Sequence, residues 1–191
     1  MRTVIRFGAF ALAIAAVPAA WSLRSARATD VVVIRPNVEV TGTTEQLAMA
    51  RWAIGRFDIA GLEPPTIDIE FHGDRSGCRG HLGFARAGRV DVCTVLSNEM
   101  ARRVLLHEMG HIWIEQNVSQ AVRERFLELR GLRAWNASTD PWEERGYEQG
   151  AEIMSWALGN RILFAQIPGN DPVQLGAAFE LLSGVGIPVP R

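Results

Sequence analysis

The spacing of apolar positions changes along the chain, and each change marks an element. Val31 to Ile34 is an unbroken β-branched run, which predicts a first strand. Thr43-Thr44-Glu45-Gln46 has the form of a capping box. Leu47, Ala50, Ile54 and Phe57 follow at helical spacing, so residues 44–60 should be a helix, stopped by Gly61 and Pro64-Pro65. Thr66 to His72 then alternates. Ile67, Ile69 and Phe71 fall on one side and Asp68 and Glu70 on the other, the pattern of a half-buried strand. Residues 73–80 are a loop rich in Gly, Asp and Ser. Residues 81–84 and 89–95 read as a hairpin around Ala85-Arg86-Ala87-Gly88.

The second half of the chain has the period of helices. Ser97 is a good N-cap for a long helix over 98–116, and Ser119 caps another that runs to about Arg130. A loop bearing Trp135 and Asn136 follows. Asp140-Pro141 reads as the start of a helix over 142–158 that ends at Gly159, and Asp171-Pro172 starts a last helix to about Ser183. Strands first and helices afterwards predict an α+β fold, with helices packed on a small mixed sheet.

The N-terminus changes how much of the chain belongs to that fold. Arg2 and Arg6 precede an uncharged apolar stretch from Phe7 to Ala20, and Ala26-Arg27-Ala28 has the small-x-small form of a cleavage site. Residues 1–28 therefore read as a signal peptide and residues 29–191 as one exported domain, secreted or on the envelope side of the membrane. A retained anchor is the alternative, although the apolar run is short of the roughly 20 residues that a spanning helix needs. Four of the 20 cations, all of them Arg, lie in residues 1–28. The remainder carries 16 Arg against 21 acids, a net charge of −5. That balance leaves no basic patch for nucleic acid. The two cysteines, Cys78 and Cys93, both lie in the exported part, where an even pair predicts a disulfide. Closing that loop would contribute roughly 3 kcal/mol in the chain-entropy model.

One short segment adds chemistry. His107-Glu108-Met109-Gly110-His111 places two imidazoles four residues apart in the predicted helix, where both can reach one ion. Glu108 projects beside that ion, where it can hold and deprotonate a bound water. Zinc lowers the pKa of such a water to about 7. Val104, Leu105 and Leu106 lead into the motif, which predicts that this end of the helix is buried. A glycine inside a helix costs about 1 kcal/mol relative to Ala, so Gly110 suggests a packing or functional reason.

Two histidines do not complete a catalytic zinc site, which takes three protein ligands and an open position. His72 and His81 lie upstream in strand regions, and Ile112 to Val118 holds no His. A carboxylate from Glu143-Glu144-Arg145-Gly146-Tyr147-Glu148-Gln149-Gly150-Ala151-Glu152 is the alternative. Glu148 and Glu152 are four apart and share a helical face. Glu143 and Glu144 suit the dipole of a first helical turn.

Over about residues 67–158 these two segments resemble the zincin metallopeptidases, in the branch whose third ligand is Glu. The resemblance implies that His107, His111 and Glu148 hold one Zn2+. It gives Glu152 the role of holding the other ring nitrogen of a ligand His; an exchange of roles between Glu148 and Glu152 stays open. It also implies a peptide or protein substrate, paired with a strand at the lip of the cleft, for which Gly88 to Val95 is the candidate. Tyr147, beside the proposed ligand, is placed to donate a hydrogen bond to a developing oxyanion. Trp113, Trp142 and Trp156 are expected in the core or cleft wall, and Trp135 over the cleft. The expected activity is that of an exported zinc-dependent peptidase. Two other readings are a metal-stabilised binding module of the same fold without turnover, and a structural domain with a chance motif.

Overall fold

The computed structural model describes residues 29–93, 97–159 and 167–188. The predicted signal peptide, residues 1–28, lies outside the described residues. The described fold is α+β, with strands β1 (Asp30–Arg35), β2 (Val38–Gly42), β3 (Ile67–His72), β4 (Gly83–Arg86) and β5 (Arg89–Cys93). Its helices are α1 (Thr44–Ala60), α2 (Asn98–Asn117), α3 (Gln120–Arg130), α4 (Gly146–Leu158) and α5 (Pro172–Ser183).

The five strands form one sheet in the order β1-β2-β3-β5-β4. The pairs β2–β3 and β3–β5 are parallel; the outer pairs β1–β2 and β4–β5 are antiparallel. Alternation gives the sheet one apolar face. Val38, Val40, Ile67, Ile69, Phe71, Val90 and Val92 are all buried. They join one core with Ala50, Ile54 and Phe57 of α1 and Leu105, Met109 and Ile112 of α2. The capping box at the start of α1 forms as the sequence predicts, with Thr43 and Gln46 each accepting a hydrogen bond from the other's backbone N–H.

Several boundaries differ from the pattern-based expectations. β2 is an additional strand. Pro36-Asn37 turns the chain back, and only two inward residues, Val38 and Val40, carry the alternation. The β4–β5 hairpin closes on two residues rather than four, with Ala87 at φ 48° and Gly88 at φ 79°. Two residues of positive φ match the twist of the flanking strands. The free edge on this side is therefore β4. Gly88 to Val95 was the expected edge, but β5 pairs with β3 on one flank and β4 on the other. Its last residues, Thr94 and Val95, lie outside the described residues.

The helix expected over 142–158 is also divided. Trp142–Glu144 is a single 3-10 turn, Arg145 is extended at φ −87° and ψ 130°, and α4 begins at Gly146. Asp140 does not cap a helix; it is buried and pairs with Arg133 at 2.5 Å. Cys78 and Cys93 form the expected disulfide, which ties the 73–82 loop to β5. Among the described residues, no helix is long and apolar enough to cross a membrane.

The contact between α2 and α4 carries the site. A Cβ on Gly110 would lie 3.1 Å from Met154 Cβ and 3.3 Å from Ala151 Cα, so the helices are in backbone contact there. This is the packing reason for a glycine inside a helix. Gly110→Val should overpack the contact and cost about 1–3 kcal/mol. A thermal melt of the variant should fall by several degrees below the parent, roughly 2–4 °C per kcal/mol for a domain of this size. An unchanged melting temperature would show that the helices have room to spare.

Candidate metal centre

α2 supplies His107, Glu108 and His111, and α4 supplies Glu148 and Glu152. Position 148 falls in the first turn of α4, which brings its carboxylate to the two imidazoles. His107 Nε2 lies 3.3 Å from Glu148 Oε2, and His111 Nε2 lies 3.2 Å from the same oxygen. Glu152, one turn on, faces the opposite side of the first ring, with Oε2 at 3.1 Å from His107 Nδ1. Its other oxygen pairs with Arg103.

These distances suit a small cation. For a tetrahedral zinc ion with bonds of about 2.0–2.1 Å, ligand atoms sit about 3.3 Å apart. The donor types, two imidazole nitrogens and a carboxylate oxygen, are also those zinc takes. Donation of the Nδ1 proton of His107 to Glu152 turns the Nε2 lone pair toward the Glu148 carboxylate. Two electron-rich atoms at that separation need a cation between them, either a proton or a metal ion.

Without a metal, the proton takes that part. Burial lowers the pKa of His107, but hydrogen bonds to Glu148 and Glu152 outweigh it and raise the group to about 10. Burial leaves His111 lowered to about 4. Glu148 is held well below the usual carboxylate range, because the two imidazoles outweigh its own burial. Glu152 is lowered in the same way by His107 and Arg103, against its burial.

Glu108 behaves differently from the other two acids. Burial pushes its carboxyl up to about 7. It lies against β4, where a Cβ on Gly83 would be 2.6 Å from its Oε1. The strand can approach the acid only because position 83 lacks a side chain. A pKa near neutrality lets a carboxyl exchange a proton readily at neutral pH. The cluster opens on a cavity of about 640 Å³ whose walls include Phe84 and Ala85 of β4, Trp142 and Tyr147. That volume is in the range of small-ligand sites.

The remaining candidates are distributed unevenly. Tyr147 reaches the cluster, with its ring stacked on His111 at 3.9 Å between centroids and 14° between planes. Trp142 lies at the cavity mouth, 37% exposed, and stands 5.9 Å from the His107 ring. Trp113 and Trp156 are core residues. Trp135 does not cover the cleft. It packs edge-on against Phe126 and lines a separate cavity of about 200 Å³ with Arg123 and Asn136. His81 lines the main cavity. His72 belongs elsewhere: it bonds Asp91 at 2.7 Å in a network with Glu70 and Arg89. Sequence reasoning missed Arg103 and the β4 wall. Arg103 was within reach, since it stands one helical turn before His107 and so shares its face.

The raised pKa of His107 has a measurable consequence. With its pKa raised to about 10, His107 should hold a proton in metal-free protein at pH 7 that zinc must displace, so zinc affinity should rise with pH above 7. Calorimetric titration of the chelated protein at pH 7, in buffers of different ionisation enthalpy, should record release of about one proton or more per zinc bound. Release of none would show that His107 is already neutral there.

No protein-family model, curated protein or solved structure matches the chain.

Proposed function

We propose that the protein is an exported zinc-dependent hydrolase, a metallopeptidase of the zincin type with Glu as third ligand. The observation that carries this reading is the convergence of His107 Nε2 and His111 Nε2 on Glu148 Oε2 at 3.3 and 3.2 Å. The position of Glu152 on the far nitrogen of His107 supports Glu148, rather than Glu152, as the ligand. The Cys78–Cys93 disulfide supports an oxidising compartment, as export through residues 1–28 would provide.

His107, His111 and Glu148 would hold the ion, and Glu152 would fix the His107 ring. Bound zinc supplies Lewis acidity and lowers the pKa of water. Glu108 takes the proton of the attacking water and gives it to the leaving amine as the peptide bond breaks. An extended peptide lies along the free edge of β4, where strand addition would align its backbone with the cluster. Gly83, Phe84 and Ala85 of that edge line the same cavity as Glu108.

The test is metal content together with hydrolysis of an unstructured protein substrate, for the parent and three variants. The parent should carry about one zinc per chain. Glu108→Gln should keep the metal and lose about 10²–10⁴-fold in rate. His107→Ala and His111→Ala should lose both. A parent that binds no metal removes the site. Metal with equal activity in parent and Glu108→Gln removes the base and leaves a metal-stabilised binding module.

A further inference from the structure

The two proposed histidine ligands are held in different ways. His107 has a hydrogen-bond partner on its far nitrogen, Glu152 at 3.1 Å. His111 does not: among the described residues, its Nδ1 is buried with no hydrogen-bond partner. The histidine χ2 torsion is soft, a broad and roughly two-fold well. A ligand imidazole therefore needs something to fix its plane, and metal-ligating His almost always uses a hydrogen bond on the far nitrogen.

What His111 has instead is Tyr147. The two ring centroids lie 3.9 Å apart and the planes are 14° from parallel, a stacked contact of one face on the other. The opposing ring, His107, meets His111 edge-on at 4.7 Å and 89°, so it does not duplicate that face. Trp142, at 5.9 Å from His107, is too distant to fix the other imidazole by stacking. Tyr147 is itself well placed to act as a fixed surface. Its N–H donates to the Trp135 carbonyl at 2.7 Å, and the next residue is Glu148. One turn of α4 thus brings in a ligand and the support of another ligand together.

We propose that Tyr147 is a positioning residue whose aromatic ring sets the plane of His111 for zinc, taking the part that Glu152 takes for His107. This rests on the zinc-hydrolase reading for its metal, but the stacking can be tested without turnover. Tyr147→Phe keeps the ring and removes the hydroxyl. Tyr147→Leu keeps apolar bulk and removes the flat face. Phe should bind zinc with the parent's affinity, and its Co2+-substituted form should show the parent's visible spectrum. Leu should bind zinc about tenfold more weakly and shift the Co2+ spectrum, which reports ligand geometry. Where the Leu variant fails to fold, proton NMR of the chelated parent supplies a second measurement. The His111 ring protons should lie upfield of those of His81, under the ring current of Tyr147. Zinc affinity and Co2+ spectrum unchanged in Leu, loss in Phe equal to that in Leu, or His111 protons without the upfield shift would each overturn the proposal. A parent that binds zinc while Leu is unchanged overturns this inference alone. A parent that binds no zinc overturns the zinc reading with it.

Discussion

Two imidazoles, three carboxylates and one guanidinium are enclosed between α2, α4 and β4, and the structure depends on how their charges are met: Arg103, Glu152, His107 and Glu148 pair in series, while burial pushes Glu108 toward its neutral form. An uncompensated charge among buried groups costs several kcal/mol, whereas a matched one can be held at little net cost. Glu152, only 3% exposed, lies between Arg103 and His107. Glu148 lies between the two imidazoles. The chain of contacts runs guanidinium, carboxylate, imidazole, carboxylate, imidazole, with signs alternating as far as the last ring. It ends on the oxygen and nitrogens that converge on one point. Such a network favours a cation there, whether a proton or a metal ion.

The rest of the fold supplies the enclosure. The apolar face of the sheet packs against α2, so the helix cannot rotate its two histidines away from α4 without exposing Leu105, Met109 and Ile112. Gly110 lets α4 approach to backbone contact on the adjoining face. The disulfide between Cys78 and Cys93 fastens the loop that leads into β4, the strand that closes the third side. Each element contributes a wall for apolar reasons and only a few polar atoms for chemical ones.

Much of this was legible in the sequence because it is local and helical. The pairs His107–His111 and Glu148–Glu152 are each four apart, and that spacing alone puts each pair on one helical face. Their mutual approach was an expectation that periodicity could not supply, since nothing local sets the angle between α2 and α4. The strand order was beyond reach for a similar reason. β5 lies between β3 and β4 because of non-local pairing, so the edge fell to Gly83–Arg86 rather than to Gly88–Val95. β2 was hidden by its length, with two inward valines just after a turn. The start of α4 was misplaced because Asp140-Pro141 has the form of a helix start, while tertiary contacts, chiefly the Arg133–Asp140 pair, use Asp140 differently.

That displaced start has a consequence for the site. Glu148 belongs to the first turn of α4, where its negative charge is favoured by the helix dipole. α4 has no side-chain N-cap; Arg145 precedes it without capping. Instead, the N–H groups of Gly146 and Tyr147 donate to the carbonyls of Ala134 and Trp135 at 3.2 and 2.7 Å. Arg145 Nε donates back to the Asp140 carbonyl at 2.9 Å, and Gln149 Nε2 donates to the Glu143 carbonyl at 2.7 Å. The segment from Ala134 to Arg145 is therefore a template as well as a wall of the cavity: it fixes the height and rotation at which α4 begins. Trp135, expected over the cleft, instead meets the start of α4, through its backbone carbonyl and through a ring that a Cβ on Gly146 would approach to 2.8 Å. The position of the Glu148 carboxylate is then set by a loop with little regular structure, and that of the two imidazoles by the long helix α2. A shift of one residue in that loop would carry Glu148 off the shared point while leaving both histidines in place.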